Sequence, residues 1–158
     1  MTIDAGVHFW KYEKATAIPM IRGNKALQED YLPVQLSLNM KRNGVDACVA
    51  VAAGPMEVET RFLSELAITH SSIAGVIGWI DLQEEKAAEK IAELSSYTPL
   101  RGFKLAPAGE DSLPEKEVMA ALASCSYSLE LELTPGTNAV YLSDWIRSFP
   151  EQLFVIDR

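Results

Sequence analysis

Short apolar runs alternate along the chain with stretches whose apolar residues recur every three to four positions, the pattern of successive β-α units on a parallel sheet. The strand-like runs cover 2–8, 46–52, 73–80, 100–105, 128–133 and 153–157, and the first of them reads as a buried strand ending in a histidine and two aromatics. Between them the spacing predicts helices over 33–43, 56–70, 83–95, 114–125 and 138–149. Gly44 suits the stop of the first helix, Asp81 a cap outside the third, Pro114 the first turn of the fourth, and Pro135-Gly136 the turn before the fifth. Residues 11–32, with Pro19, Gly23 and Asn24, form one long irregular stretch of the kind that serves as a lid or binding loop. No repeat beyond the alternation and no linker interrupts the chain, so residues 1–158 read as a single α/β domain.

Composition narrows the field of partners. With 158 residues, 48% hydrophobic and 23% charged, the chain can build a core. A net charge of -8 and one tight basic pair, Lys41-Arg42, exclude nucleic acid and anionic membrane surfaces as expected partners. No apolar run approaches the roughly 18 residues that cross a bilayer, and no basic segment precedes an apolar one at the start, so a cytoplasmic location is expected. Cys48 and Cys125 match neither a zinc knuckle nor a redox pair and read as buried free thiols. Nucleotide-binding glycine patterns, the Gly-x-Ser-x-Gly elbow and His-Glu-x-x-His are all absent.

Several segments carry a family likeness. They are Thr2-Ile3-Asp4-Ala5-Gly6-Val7-His8-Phe9-Trp10, Asp30-Tyr31-Leu32-Pro33, Gly44-Val45-Asp46, the stretch 55–63, the stretch 73–82 with Gly78-Trp79-Ile80-Asp81-Leu82, Leu100-Arg101-Gly102-Phe103-Lys104, and 149–157. In this order they resemble consecutive blocks of the amidohydrolase-2 family, metal-dependent hydrolases, sugar lactonases and decarboxylases on a TIM-barrel frame. The resemblance implies a partial (β/α)8 barrel of six parallel strands with five intervening helices. A whole barrel takes about 250 residues, so these 158 correspond to about its first two thirds, truncated before the last strands and open along the first and sixth. It also implies hydrolysis of a small ester, lactone or amide, with zinc or another divalent metal as the cofactor family members often bind.

Position by position, the implied metal site is degenerate. His8 matches the second histidine of the family's His-x-His pair and is the one candidate metal ligand, but Gly6 stands in place of the first. Ala52 falls where many relatives have glutamine, Leu105 where relatives often have histidine, and Arg158 where a histidine follows Asp157. One imidazole does not hold zinc, since open catalytic sites use about three protein ligands. Impaired or lost hydrolase activity is therefore expected, although some lactonases of the broader superfamily are thought to work without metal.

Strand parity supplies a different constellation. Asp4, Gly6 and His8 share one face, as do Glu130 and Glu132, with Leu129, Leu131 and Leu133 opposite. Two carboxylates about 6.5 to 7 Å apart on one strand need a cation or water, and Lys104 on the neighbouring strand is the natural partner. Lys104 and Glu132 are thus the candidate catalytic pair, orienting substrate or exchanging protons near His8, with a structural ion pair as the alternative. His70 reads as a helix C-terminal residue facing the dipole. Trp10 and Trp79 suit a pocket wall or the core, and the Glu84-Glu85-Lys86 and Glu89-Lys90 cluster a solvated helix face. Three functions stay open: a hydrolase of a small molecule, a non-catalytic remnant or assembly module whose open edge pairs with another chain or a second copy, and a doubly wound ligand-binding domain.

Overall fold

In the computed structural model, which describes residues 1–15, 18–107 and 109–157, every expected strand is present within two residues of its predicted bounds. The strands β1 (Ile3–Val7), β2 (Ala47–Val51), β3 (Ile73–Gly78), β4 (Leu100–Leu105), β5 (Ser128–Glu132) and β6 (Phe154–Asp157) lie side by side in chain order, every pair parallel. Parallel neighbours need a crossover. It is supplied by α3 (Pro33–Arg42), α4 (Glu57–Thr69), α5 (Ala87–Leu94), α6 (Lys116–Ser124) and α7 (Ala139–Arg147). Six parallel strands with helices between them form part of a (β/α)8 barrel. The order 1-2-3-4-5-6 never reverses, which rules out the doubly wound alternative, because that architecture binds its ligand at a reversal of strand order.

The helices grip the sheet through regular apolar stripes. Ala87, Ile91 and Leu94 of α5 are fully buried at i, i+4 and i+7, and Leu63, Met119 and Leu122 join them against Cys48, Ala50, Val76, Phe103, Leu129 and Leu131. Phe103 meets Tyr127 edge-on, with ring centroids 5.6 Å apart. At Gly102 the backbones of β4 and β5 approach so closely that an added Cβ would lie 2.2 Å from the carbonyl oxygen of Ser128. Gly102→Ala is accordingly expected to cost about 1–3 kcal/mol through overpacking, read as a lower urea midpoint at unchanged m-value.

The structure corrects several expectations. β1 is exposed from Ile3 to Gly6 and only half-buried at Val7, because it is an edge strand paired on one side, to β2. Ile3, Val155 and Ile156, on the two edge strands, are 39%, 47% and 55% exposed. Residues 11–32 are not irregular. Among the described residues they contain α1 (Tyr12–Ala15), α2 (Pro19–Gly23) and a 3-10 turn at Lys25–Leu27, closed at the base by an antiparallel bridge between Trp10 and Tyr31. Such short helices persist through packing, here of Ile18 and Ile21 with Trp10.

Gly44 ends α3 at φ +65°, as expected. Asp81, by contrast, accepts from the Gln83 N–H at 3.0 Å, an Asx turn well before α5 begins. Pro114 precedes the Glu115 N-cap of α6 and so lies outside the first turn. Lys90 is not part of a solvated i,i+4 face: it bridges Glu84 and Glu57 of α4, both at 2.6 Å, while Arg61 joins Glu57 to Glu93. Cys48 is buried and Cys125 only partly so. No helix among the described residues is long and apolar enough to cross a membrane.

Candidate active site

The C-terminal ends of the parallel strands carry the polar groups. β4 delivers Lys104, β5 Glu130 and Glu132, β6 Asp157, and His8 follows β1. The sheet register sets Lys104 beside Glu130 and Glu132 beside Asp157. Lys104 nevertheless reaches along the diagonal, its Nζ 2.8 Å from Oε2 of Glu132. The expected pair therefore forms, in a setting half-open to solvent, where an ion pair adds little stability. Two cavities flank Lys104. One, of about 200 Å³, is walled by Ala52 to Pro55, Trp79, Lys104, Ala106 and Glu132. The other, of about 420 Å³, is lined by Gly6, His8, Lys104, Glu130 and Asp157 together with Ala5, Val51, Val155 and Ile156.

Electrostatics divides the carboxyls. Glu130 is 8% exposed, and burial, then the neighbouring Asp157, pushes its carboxyl above the usual 4.5, with Lys104 and His8 pulling the other way and Glu132 adding to the rise. His8 places Nδ1 2.7 Å from the carbonyl oxygen of Val51. That oxygen can only accept, so Nδ1 carries a proton and donates it there.

Two neighbours on α4 that sequence reasoning quoted without a role build the cavity walls. Glu59 accepts the N–H of Ala53 at 2.9 Å and of Gly54 at 3.0 Å, fixing the turn after β2. Thr60 Oγ1 accepts from the Trp79 N–H at 2.7 Å and donates to the Trp79 carbonyl at 2.6 Å, fixing the end of β3. A Cβ at Gly78 would fall 2.5 Å from the Thr60 methyl, so the two elements touch without space between them. The available signal was polar residues on the buried stripe: Glu59, Thr60 and Ser64 share it with Leu63 and Ala67. Thr60→Val keeps the shape and removes both bonds, leaving two buried backbone groups unpaired. A loss of about 1–3 kcal/mol, largely restored by Thr60→Ser, is the expected result of urea denaturation.

Glu59 also sets a pH dependence. Burial raises its carboxyl above the usual 4.5, partly offset by the two backbone N–H groups and His8. Because the folded-state value is the higher one, the folded chain holds more protons than the unfolded chain just above pH 4.5, and this group's contribution to stability falls as pH rises through that window. In Glu59→Gln that part of the pH slope should vanish from denaturation series run at mildly acidic pH.

The implied metal site does not assemble. Gly6 brings no side chain, Ala52 and Leu105 bring no donor, and among the described residues no three His, Cys, Asp or Glu groups converge to hold an ion. Arg158 lies outside the described residues. Trp10 belongs to the small core cluster, with Nε1 donating to Leu27, whereas Trp79 walls the cavity beside Lys104. His70 caps the end of α4, Nδ1 3.0 Å from the Leu66 carbonyl, as expected.

Comparison with known proteins agrees with this geometry. The family model for Amidohydrolase matches residues 3–157. An L-fucono-1,5-lactonase of Burkholderia multivorans is 40% identical over 104 residues, covering 66% of this chain and 35% of that protein. An L-fucono-1,5-lactonase of Burkholderia ambifaria is 28% identical over 161 residues, covering 98% and 55%. A crystal structure of an amidohydrolase from Burkholderia multivorans with bound zinc superposes with a TM-score of 0.81 at 30% identity, over 99% of this chain and 57% of that one. The chain thus spans about half the length, or less, of the relatives it matches, and the barrel it forms is the corresponding part of theirs. On the match along nearly its whole length, the chain belongs to the amidohydrolase family.

Proposed function

We propose that the chain carries the hydrolytic site of a small-molecule lactonase, with Lys104 and Glu132 as the working pair and a rate below that of its longer relatives. The observation that carries this reading is the 2.8 Å pair set between two cavities at the C-terminal ends of the strands, where barrel enzymes place their chemistry. The lactonases among the relatives supply the reaction class. Glu132 takes a proton from the attacking water, and the Lys104 ammonium donates to the carbonyl oxygen as negative charge develops there. Trp79 and the Ala52 to Pro55 turn close one side around the ring. The donors present among the described residues do not suit zinc, so no step is routed through a metal. His8, whose Nε2 has no hydrogen-bond partner among the described residues, serves as a contact for substrate or for a ligand set completed from elsewhere.

Proton release on opening of L-fucono-1,5-lactone tests this reading, with saturation kinetics expected. A rate indistinguishable from buffer would end it.

A second reading rests on the edges. β1 and β6 each have one unpaired side among the described residues, and Ile3, Val155 and Ile156 are exposed there, the features of an assembly surface closed by a second copy or another chain. Light scattering decides it: a dimer whose dissociation follows Val155→Lys supports the module, and a clean monomer rules out self-pairing.

A further inference from the structure

We propose that Glu130 is a second catalytic carboxyl of this site, the acid that protonates the leaving oxygen as the lactone ring opens. The inference rests on the hydrolase reading above and assigns a role to a residue outside the Lys104–Glu132 pair. Glu130 is 8% exposed and lines the larger cavity, yet its carboxyl makes no hydrogen bond or ion pair with any described residue. Its oxygens are not sealed in the core but open onto that cavity, where an atom of a bound substrate can reach them. Lys104, directly beside it in register, is the obvious neutralising group, and its ammonium instead bonds Glu132. The charged and titratable groups around Glu130 are His8 after β1, Lys104 on β4, Glu132 on its own strand and Asp157 on β6. Burial first, and then the neighbouring carboxylates, raise the Glu130 carboxyl above the usual range, so it holds its proton more readily than an ordinary glutamate.

The geometry separates the two roles. Glu130 and Glu132 point from one face of β5, about 6.5 to 7 Å apart along the strand. Glu132 lines the smaller cavity and Glu130 the larger, on the two sides of Lys104, so a lactone lying across the Lys104 ammonium meets one carboxyl from each. Water oxygen bonds to the carbonyl carbon and gives its proton to the Glu132 carboxylate. The bond from that carbon to the ring oxygen then breaks, and the ring oxygen takes the proton of Glu130. The product is the open hydroxy acid, Glu132 is left protonated and Glu130 ionised, and proton exchange with solvent resets both.

Leaving-group dependence tests the assignment, because an acid matters only when the departing oxygen is basic. Wild type, Glu130→Gln and Glu132→Gln are compared on δ-valerolactone, whose leaving group is an alkoxide, and dihydrocoumarin, whose leaving group is a phenoxide. Glu130→Gln should lower kcat on δ-valerolactone by about 100-fold or more and leave dihydrocoumarin within a few-fold of wild type, whereas Glu132→Gln should slow both alike. Equal losses on the two lactones in Glu130→Gln, or none on either, would overturn the acid role while leaving the hydrolase reading in place. A wild-type chain that opens neither lactone removes the hydrolase reading and this assignment together. Should Glu130→Gln not fold, Glu130→Asp keeps the carboxyl one methylene short and must show the same contrast in smaller measure.

Discussion

Lys104→Met is expected to lower kcat/KM for lactone opening by about 100-fold to 10,000-fold while changing stability by less than about 1 kcal/mol. Methionine keeps the length of the side chain and removes only the ammonium. The group lost is the one bonded to Glu132 at 2.8 Å between the two cavities. Since Glu132 is 37% exposed, water resolvates its carboxylate when the cation goes, which is why folding is little affected. Steady-state rates with L-fucono-1,5-lactone, set beside thermal unfolding of the same preparation, separate the effects. A variant that loses stability but keeps its rate would make the pair structural.

One residue earlier the balance reverses. Phe103→Ala should destabilise the chain by about 3–5 kcal/mol, a fall in Tm on the order of 10 °C. Phe103 is fully buried on the helix-facing side of β4, and the ring it loses is packed edge-on against Tyr127 within the main core. β5 cannot close the cavity, since Gly102 already holds the two strands at contact distance. Differential scanning calorimetry measures this directly, and a shift below about 2 °C would mean that this core is far looser than its burial implies.

The contrast between Phe103 and Lys104 also explains what could be read in advance. Period-two alternation at β4 and β5 puts Lys104 and Glu132 on one face and Phe103, Leu129 and Leu131 on the other, and β-α adjacency makes those strands neighbours. What alternation does not encode is side-chain reach. The register sets Lys104 beside Glu130, and only coordinates reveal that its ammonium takes the diagonal to Glu132. Exposure of β1 escaped for a related reason: an edge strand's burial depends on what packs over it, and its own apolar residues do not report that. Helices as short as Tyr12–Ala15 and Pro19–Gly23 span too few turns to show a period, so the insert between β1 and α3 read as irregular. Glu59 and Thr60 were visible as polar residues on a buried stripe, but their partners at Ala53, Gly54 and Trp79 belong to tertiary contact alone. Lys90 likewise found its carboxylate partner on another helix, Glu57 of α4, as well as Glu84 nearby, and spacing within one helix cannot reveal the first.

Ligand is expected to bind at the strand C-termini around Lys104. The most direct measurement is a nuclear magnetic resonance titration of the isotope-labelled chain with the hydroxy acid released from L-fucono-1,5-lactone. Shifts are expected to concentrate at the amides of Ala53, Gly54, Trp79, Lys104, Glu130 and Glu132, and to weaken in Lys104→Met. Shifts confined to the apolar groove between Phe9, Met56 and Phe62, or no shifts at saturating ligand, would contradict it.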